Sequence, residues 1–318
     1  MMKKIIDLIK SAENIALFCH INCDGDAVGS VFALKKVLEE FGKRVTVFID
    51  TKIPERLKFM PQIYGAEYLT EFEDRNFDLF VALDCGDLAR LGDFADVFEK
   101  AENTVSIDHH ASNTRFAREN LVLPDASATG EIIYDLISLG NLLISKETAT
   151  LIYGAIASDT GAFQYSNTSS KTHKIVAELI DLGADHVLVN KKLFDTLQVN
   201  EIKIQGYAMN SFELFEEGKI CFVGITKEKM NELGCAYEDV EGISGFPRSV
   251  AGVEIGLLAK EWKDSIFKIS IRTNEYADAT YLAGKFGGGG HIRASGCTIE
   301  GTLDEVKEKI VNTAKELI

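Results

Sequence analysis

No apolar run in this 318-residue chain reaches the roughly 18 residues that a membrane-spanning helix needs, which argues against a transmembrane segment. The first residues, Met1-Met2-Lys3-Lys4 followed by Ile5-Ile6-Asp7, have the pattern of an amphipathic helix and not of a signal peptide. A soluble cytoplasmic protein is the expectation. Paired cysteines are missing as well. Cys19, Cys23, Cys85, Cys221, Cys235 and Cys297 include no C-x-x-C spacing and mostly stand in apolar or strand-like stretches, which points to reduced, packed thiols. Positive charge is in deficit, with 34 Lys and Arg against 49 Asp and Glu and a net charge of −15. That balance argues against non-specific binding to long duplexes, which depends on neutralising many phosphates. Short anionic substrates remain open, because they need only a local site built from metal ions, a few cationic side chains and backbone N–H groups. Internal repeats and low-complexity tracts are also absent.

What is present is a hydrophobic content of 46%, enough for sizeable cores, and a length that favours two domains. The first half alternates strand and helix patterns: strands over 14–20, 44–50, 78–84 and 104–107, helices over 27–41 and 128–139. This predicts an α/β fold with a doubly wound, mostly parallel sheet. The helix after Asp26 shows its apolar face through Val28, Val31, Phe32, Leu34, Val37, Leu38 and Phe41 and should stop at Gly42. Helices follow over 147–158 and 172–182, the latter ending at Gly183, and a polar helix over about 185–210 is expected to bridge the domains. After it come strands at 220–226, 250–260, 266–273 and 295–300, with helices near 276–286 and 303–317. Trp262-Lys263-Asp264 joins two of the strands directly, so a second, smaller α/β domain with hairpin character is predicted. The expected division is 1–185, a helical linker 186–210, and 211–318.

Acidic and imidazole side chains punctuate the first half at one kind of place. Asp108-His109-His110 follows the β-branched run Thr104 to Ile107; His20, Asp24 and Asp26 come just after Ile15-Ala16-Leu17-Phe18; Asp84 closes Leu79 to Leu83; Asp159 ends the apolar stretch Leu151 to Ala157. In an open α/β sheet the carboxyl ends of the strands face one crevice, where these residues can converge. A single Asp after a strand is commonly a helix cap. Several in one crevice are another matter, since two unit charges about 4 Å apart at an effective dielectric near 20 repel by about 4 kcal/mol. Divalent cations remove that cost, and oxygen ligands with two or three imidazoles suit Mn²⁺ or Mg²⁺ better than structural zinc. Cys19, Cys23 and Cys85 flank these positions and could serve a soft metal, but the carboxylates favour hard ions.

The second informative motif is Gly287-Gly288-Gly289-Gly290-His291. Four glycines expose backbone N–H groups with no Cβ in the way, and their ordering cost makes a purely stabilising role implausible. Such a segment can cradle a phosphate or nucleotide, with His291 as a phosphate or base contact. Arg272, at the end of the strand that starts at Ile266, could reach the same region as a bidentate phosphate ligand. Arg293 and Lys285 add charge nearby and read as solvated side chains.

In combination these motifs, His20-Ile-Asn-Cys-Asp24-Gly-Asp26, Asp84, Asp108-His109-His110, Asp159-Thr160-Gly161 and Gly288-Gly289-Gly290-His291, resemble the DHH phosphoesterase superfamily. The similarity covers nearly the full length. It lies with the branch that pairs a DHH domain with the DHH-associated C-terminal domain, the nanoRNase and pAp-phosphatase group together with stand-alone cyclic di-AMP phosphodiesterases. Members often have Pro before the Asp-Gly-Asp, where this chain has Cys23.

The resemblance implies two ions, with Mn²⁺ expected and Mg²⁺ or Co²⁺ as substitutes. One would be held by His20, Asp24 and Asp84, the other by Asp26, Asp84, His109 and Asp159, with Asp84 bridging. His110 would contact the scissile phosphate and Asp108 would orient the neighbouring imidazole. Gly288, Gly289, Gly290, His291 and Arg272 would hold the substrate's terminal phosphate or base. The implied activity is hydrolysis of short oligonucleotides or dinucleotides (pApA, cyclic di-AMP, nanoRNA) to mononucleotides, with pAp dephosphorylation as a further activity and a cleft between the domains limiting access to short chains. The resemblance also suggests a homodimer. Inorganic pyrophosphatase or exopolyphosphatase shares the first-domain motifs but not the glycine loop. A single-strand-specific exonuclease would want a basic tract that this chain lacks.

Overall fold

The computed structural model describes residues 1–318 apart from the side chains of Glu238 and Glu241. The chain forms two compact units, 1–196 and 197–318. In the first, an amphipathic helix α1 (Met2–Ser11) leads into β1 (Asn14–Cys19), α2 (Gly25–Glu40), β2 (Arg44–Phe48), the short α3 (Phe59–Gln62), β3 (Leu79–Leu83), α4 (Ala95–Lys100), β4 (Thr104–Asp108) and β5 (Glu119–Val122). Helices α5 (Thr129–Leu139), α6 (Lys146–Asp159), α7 (Ser170–Asp181) and α8 (His186–Asn190) complete it.

The five strands run in the order β2-β1-β3-β4-β5, and every pair is parallel. Strands β3 and β4 are buried along their whole length, which a parallel sheet covered on both faces requires. Ile15, Leu17, Val81, Leu83, Val105 and Ile107 pack with α1, α2, α5 and α6 on one face. Phe18, Phe48 and Phe80 form the other with Phe94 and Phe98, their rings stacked, tilted or edge-on to Phe18 at 5.3–5.8 Å. Helix α2 ends as expected: Gly42 takes φ 89° and Lys43 N–H reaches back to the Leu38 carbonyl at 2.9 Å.

The second unit holds α9 (Val199–Ser211), β6 (Glu213–Phe215), β7 (Ile220–Ile225), α10 (Lys227–Leu233), β8 (Ile255–Lys263), β9 (Ile266–Thr273), α11 (Ala279–Gly284), β10 (Gly289–His291), β11 (Ala294–Glu300) and α12 (Leu303–Ala314). Its sheet runs β10-β11-β9-β8-β7-β6 and is antiparallel except for β7 with β8. Helices α11 and α12 cover one face through Leu282, Ala283, Val306 and Ile310, and α9 and α10 cover part of the other through Ile204, Ala208 and Met230.

Several expectations need correcting. The polar stretch 185–210 is two helices, because the chain passes through a π-helical turn at Lys191–Asp195 and turns extended at Thr196, and a capping box between Gln198 and Glu201 starts α9 afresh. The strand expected from Val250 begins only at Ile255, after a 3₁₀ turn at Phe246–Ser249 and Gly252 at φ 86°. The β8–β9 hairpin turns through Asp264-Ser265, with Trp262 inside the strand. The short strands β5, β6 and β10 were not expected. Among the described residues no helix is long and apolar enough to cross a membrane.

Candidate metal centre

Strand ends position most of the site. Directly after β1, His20 is buried, with Nδ1 2.7 Å from the Ile21 carbonyl and Nε2 3.6 Å from Asp84 Oδ2 and 3.9 Å from Asp24 Oδ1. Asp24 caps α2, its Oδ1 accepting from Asp26 and Ala27 N–H at 3.1 Å. Asp26, in the first turn of α2, is buried and reaches the start of α5, accepting from Thr129 N–H at 2.6 Å, Gly130 N–H at 3.0 Å and the Ser30 hydroxyl at 2.9 Å. Asp84 ends β3 in a left-handed conformation, φ 55°, which Asp tolerates better than most residues. Its two oxygens divide: Oδ2 faces His20, and Oδ1 lies 3.7 Å from His109 Nε2.

His109 repeats the arrangement of His20. Its Nδ1 lies 3.2 Å from the Ala126 carbonyl, and its Nε2 is 3.6–3.9 Å from Asp26, Asp84 and Asp159. Asp159 is not at a strand end like the others but is the last residue of α6, the helix expected over 147–158. Its apolar lead-in, Leu151 to Ala157, is a helix buried on all sides, so it has the composition of a core strand without the conformation. A carboxylate at a helix C-terminus meets the negative end of the helix dipole, an unfavourable place unless a cation is near. His110 differs from the other two imidazoles, since its Nδ1 lies 2.7 Å from Asp108 Oδ1.

Three groups of ligand-type atoms lie within 4.8 Å of one another: His20, Asp24, Asp84; Asp26, His109, Asp159; and Asp84, His109, His110. The third competes with the His110–Asp108 bond and is the weakest as a ligand set. None includes a cysteine, so the soft-metal alternative finds no thiol among the grouped donors, and burial pushes the Cys85 thiol up to about 12. The donors fit hard divalent ions. Ligand atoms about 2.1 Å from one ion stand roughly 3–3.5 Å apart, and the imidazole–carboxylate separations are only a few tenths of an ångström longer. Both His20 and His109 have Nδ1 against a backbone carbonyl, a contact that would leave Nε2 as the nitrogen able to hold an ion.

Charge tells the same story. Burial and the facing carboxylates of Asp84 and Asp159 hold Asp26 well above the usual carboxylate range. Burial likewise raises Asp159 to about 6 against the pull of His109. At His20 burial opposes protonation, but Asp24 and Asp84 outweigh it and bring the imidazole to about 10; in return His20 overcomes the burial of Asp24 and holds it at about 2. Without cations the cluster therefore retains protons. The hydrogen bond that His110 donates to Asp108 raises the imidazole against burial, and Asp108 is lowered despite its own burial by His110 and Asn113.

The sequence reading passed over the residues that support these groups. Asn113 donates to Asp108 Oδ2 at 2.6 Å, the Thr129 hydroxyl to Asp84 Oδ1 at 2.9 Å, and Asn167 to the Asp159 backbone carbonyl at 3.1 Å. Arg90 brings Nη2 to 3.0 Å from His20 Nδ1. In the second unit, strand register sets Gly256, Arg272, Ala294 and His291 in one row across β8, β9, β11 and β10, so Arg272 and His291 share a sheet face and flank Ala294. The glycine run is only partly a loop, since Gly289 to His291 form the edge strand β10. A Cβ at Gly288 would collide with the backbone of Gly296 and Cys297, so glycine is required there for close packing. Arg293 donates to the carbonyls of Ala277, at 2.7 Å, and Glu275 and is more anchored than expected.

Residues 14–156 match the family model for the DHH family, N-terminal domain, and residues 219–318 match that for the DHHA1 domain. The chain is 29% identical over 322 residues to the bifunctional oligoribonuclease and PAP phosphatase NrnA of Thermus thermophilus, covering 99% of this chain and 94% of that protein. It is 27% identical to the protein of the same name from Bacillus subtilis, with 94% and 93% covered. A crystal structure of an exopolyphosphatase-related protein from Bacteroides fragilis superposes with a TM-score of 0.91 at 27% identity, covering 99% of this chain and 95% of that one.

Proposed function

Since the chain belongs to the DHH family and carries a DHHA1 domain, we propose that it hydrolyses short oligonucleotides and dinucleotides such as pApA to mononucleotides and dephosphorylates pAp, with two Mn²⁺ ions per site. The names of the Thermus and Bacillus relatives support the substrate class. The observation that carries the two-ion reading is Asp84, whose carboxylate offers one oxygen toward each of two imidazoles. His20, Asp24 and Asp84 would hold one ion, and Asp26, Asp84, His109 and Asp159 the other. Mg²⁺ or Co²⁺ would substitute. When bound, such a pair activates water as the nucleophile and polarises the phosphoryl oxygens.

The chain's own side chains do the rest. With Nδ1–H bonded to Asp108 and its basicity raised by that carboxylate, His110 can, when protonated on Nε2, hydrogen-bond a phosphate oxygen and protonate the leaving group. Asp108, held by Asn113, fixes the ring. Thr129 ties Asp26 and Asp84 together, its N–H on one and its hydroxyl on the other. In the second unit, Gly288, Gly289 and Gly290, with His291 and Arg272, would bind the substrate's far phosphate or base, using the outward backbone groups of the edge strand β10.

A product-resolved assay with Mn²⁺ on pApA, cyclic di-AMP, a five-nucleotide RNA, pAp and pyrophosphate tests this reading. Release of AMP from pApA and of phosphate from pAp is expected, and the relative kcat/KM values rank linear against cyclic dinucleotides. Turnover of pyrophosphate alone would refute it.

A further inference from the structure

Arg90 stands against the imidazole of His20 and, among the described residues, makes no ion pair with the carboxylates of the cluster. Its backbone is fixed from several sides. Its carbonyl accepts from Ile21 N–H at 2.8 Å, and its own N–H donates to Asp87 Oδ1 at 3.1 Å. Two residues on, Gly92 adopts φ 61° where a Cβ would collide with Asp50 and Ile21, and Asp93 N–H is held by Asp50 Oδ2 at 3.1 Å. The half-buried side chain, by contrast, has little to hold. Its Nη2 points at His20 Nδ1, 3.0 Å away, but that nitrogen has the Ile21 carbonyl at 2.7 Å and must donate to it. An N–H therefore faces an N–H. A guanidinium fixed at its base, with donors and no acceptor beside a ligand imidazole, is placed to meet an anion that arrives from outside.

We infer that Arg90 binds a non-bridging oxygen of the substrate's scissile phosphate and so acts as a catalytic residue of this centre. The inference rests on the proposed phosphodiesterase reading and adds to it a fixed donor for the phosphate. A planar fork matches two phosphate oxygens, and a donor already in place costs no reorganisation as charge develops. The competing role is purely structural, with Arg90 supporting the His20 ring.

Arg90→Ala and Arg90→Lys separate the two. Three quantities are measured for each full-length protein: Mn²⁺ affinity by calorimetry, affinity of the Mn²⁺-loaded protein for inorganic phosphate, and kcat/KM on pApA. The alanine variant should keep Mn²⁺ affinity within about twofold while losing about tenfold in phosphate affinity and about a hundredfold in kcat/KM, with lysine recovering part of both losses. A fall in Mn²⁺ affinity that accounts for the lost activity would reduce Arg90 to a support for His20 and overturn the inference, as would unchanged phosphate affinity. Wild-type protein idle on pApA would refute the proposed substrate class, while the phosphate measurement would still decide Arg90.

Discussion

Three imidazoles share one crevice, and they differ in what their Nδ1 atoms touch. In His20 and His109 that atom meets a backbone carbonyl, leaving Nε2 to face carboxylates; in His110 it meets Asp108. The first two are dressed as ligands and the third as an acid. His110→Ala should therefore retain Mn²⁺ while losing about 10²–10⁴ in kcat, the range for a general acid; calorimetry and single-turnover kinetics read the two effects separately, and full activity in a metallated variant would remove His110 from the chemistry. His20 also makes metal uptake depend on pH. Its metal-free pKa of about 10 means that it carries a proton at pH 7.5 which must leave when an ion binds, so affinity should rise about tenfold per pH unit between 7 and 9. Below about 6 Asp159 protonates as well and the dependence steepens. Calorimetry at pH 7.5 in buffers of different ionisation enthalpy measures the released proton; identical heats in all of them would contradict it. That these side chains gather was legible because strand ends in an α/β sheet share an edge. Arg90, Asn113 and Thr129 were not legible. Each is a single polar residue in a connecting segment or at a helix start, and its role comes from a contact made only in the fold, such as Thr129 with Asp84.

At the scale of elements, the convergence of α2, α5 and α6 depends on small residues. A Cβ on Gly29 would lie 2.7 Å from the Leu151 carbonyl, and one on Gly130 2.7 Å from Ala155 Cβ. Gly25, between Asp24 and Asp26, lies so close to Ser158 that any side chain would strike it, and Ser158 precedes Asp159. Gly25→Ala should thus destabilise the protein by about 1–3 kcal/mol through overpacking and weaken Mn²⁺ binding by pushing the end of α6 outward. Adding Ser158→Gly should restore both, measured by denaturation and metal titration; a fully stable single variant would mean the contact is slack. The sequence pattern located α2 and its stop at Gly42 because an amphipathic face and a C-terminal glycine are local signals. It also placed a helix over 147–158, which α6 fulfils, but grouping Asp159 with the strand ends was mistaken, since the residue closes that helix. Strands β5 and β10 escaped notice because they are short, and glycine or charge hides their alternation.

For the whole molecule, each unit encloses its own cores: those around Phe18 and Leu17 in the first, and those around Leu257 and Val223 in the second. Calorimetry should accordingly resolve two unfolding transitions. Every expected metal ligand belongs to residues 1–196, so chelation should lower one transition and leave the other in place, because a ligand stabilises only the unit that binds it. Both transitions moving together on chelation would mean that the units unfold as one. The α/β character of both units was readable from the alternation of patterns, whereas the mixed order of the second sheet was not, since strand adjacency is decided by pairing across long stretches of chain.

The proposed ligands are spread from residue 20 to residue 159, across the four crossovers that join the parallel strands. During synthesis His20 leaves the ribosome first and Asp159 last, and Asp26 finds Thr129 only after most of the parallel sheet has closed. A nascent chain thus holds the first proposed set, His20, Asp24 and Asp84, well before the second, and it is the second ion whose incorporation would mark the completion of the first unit.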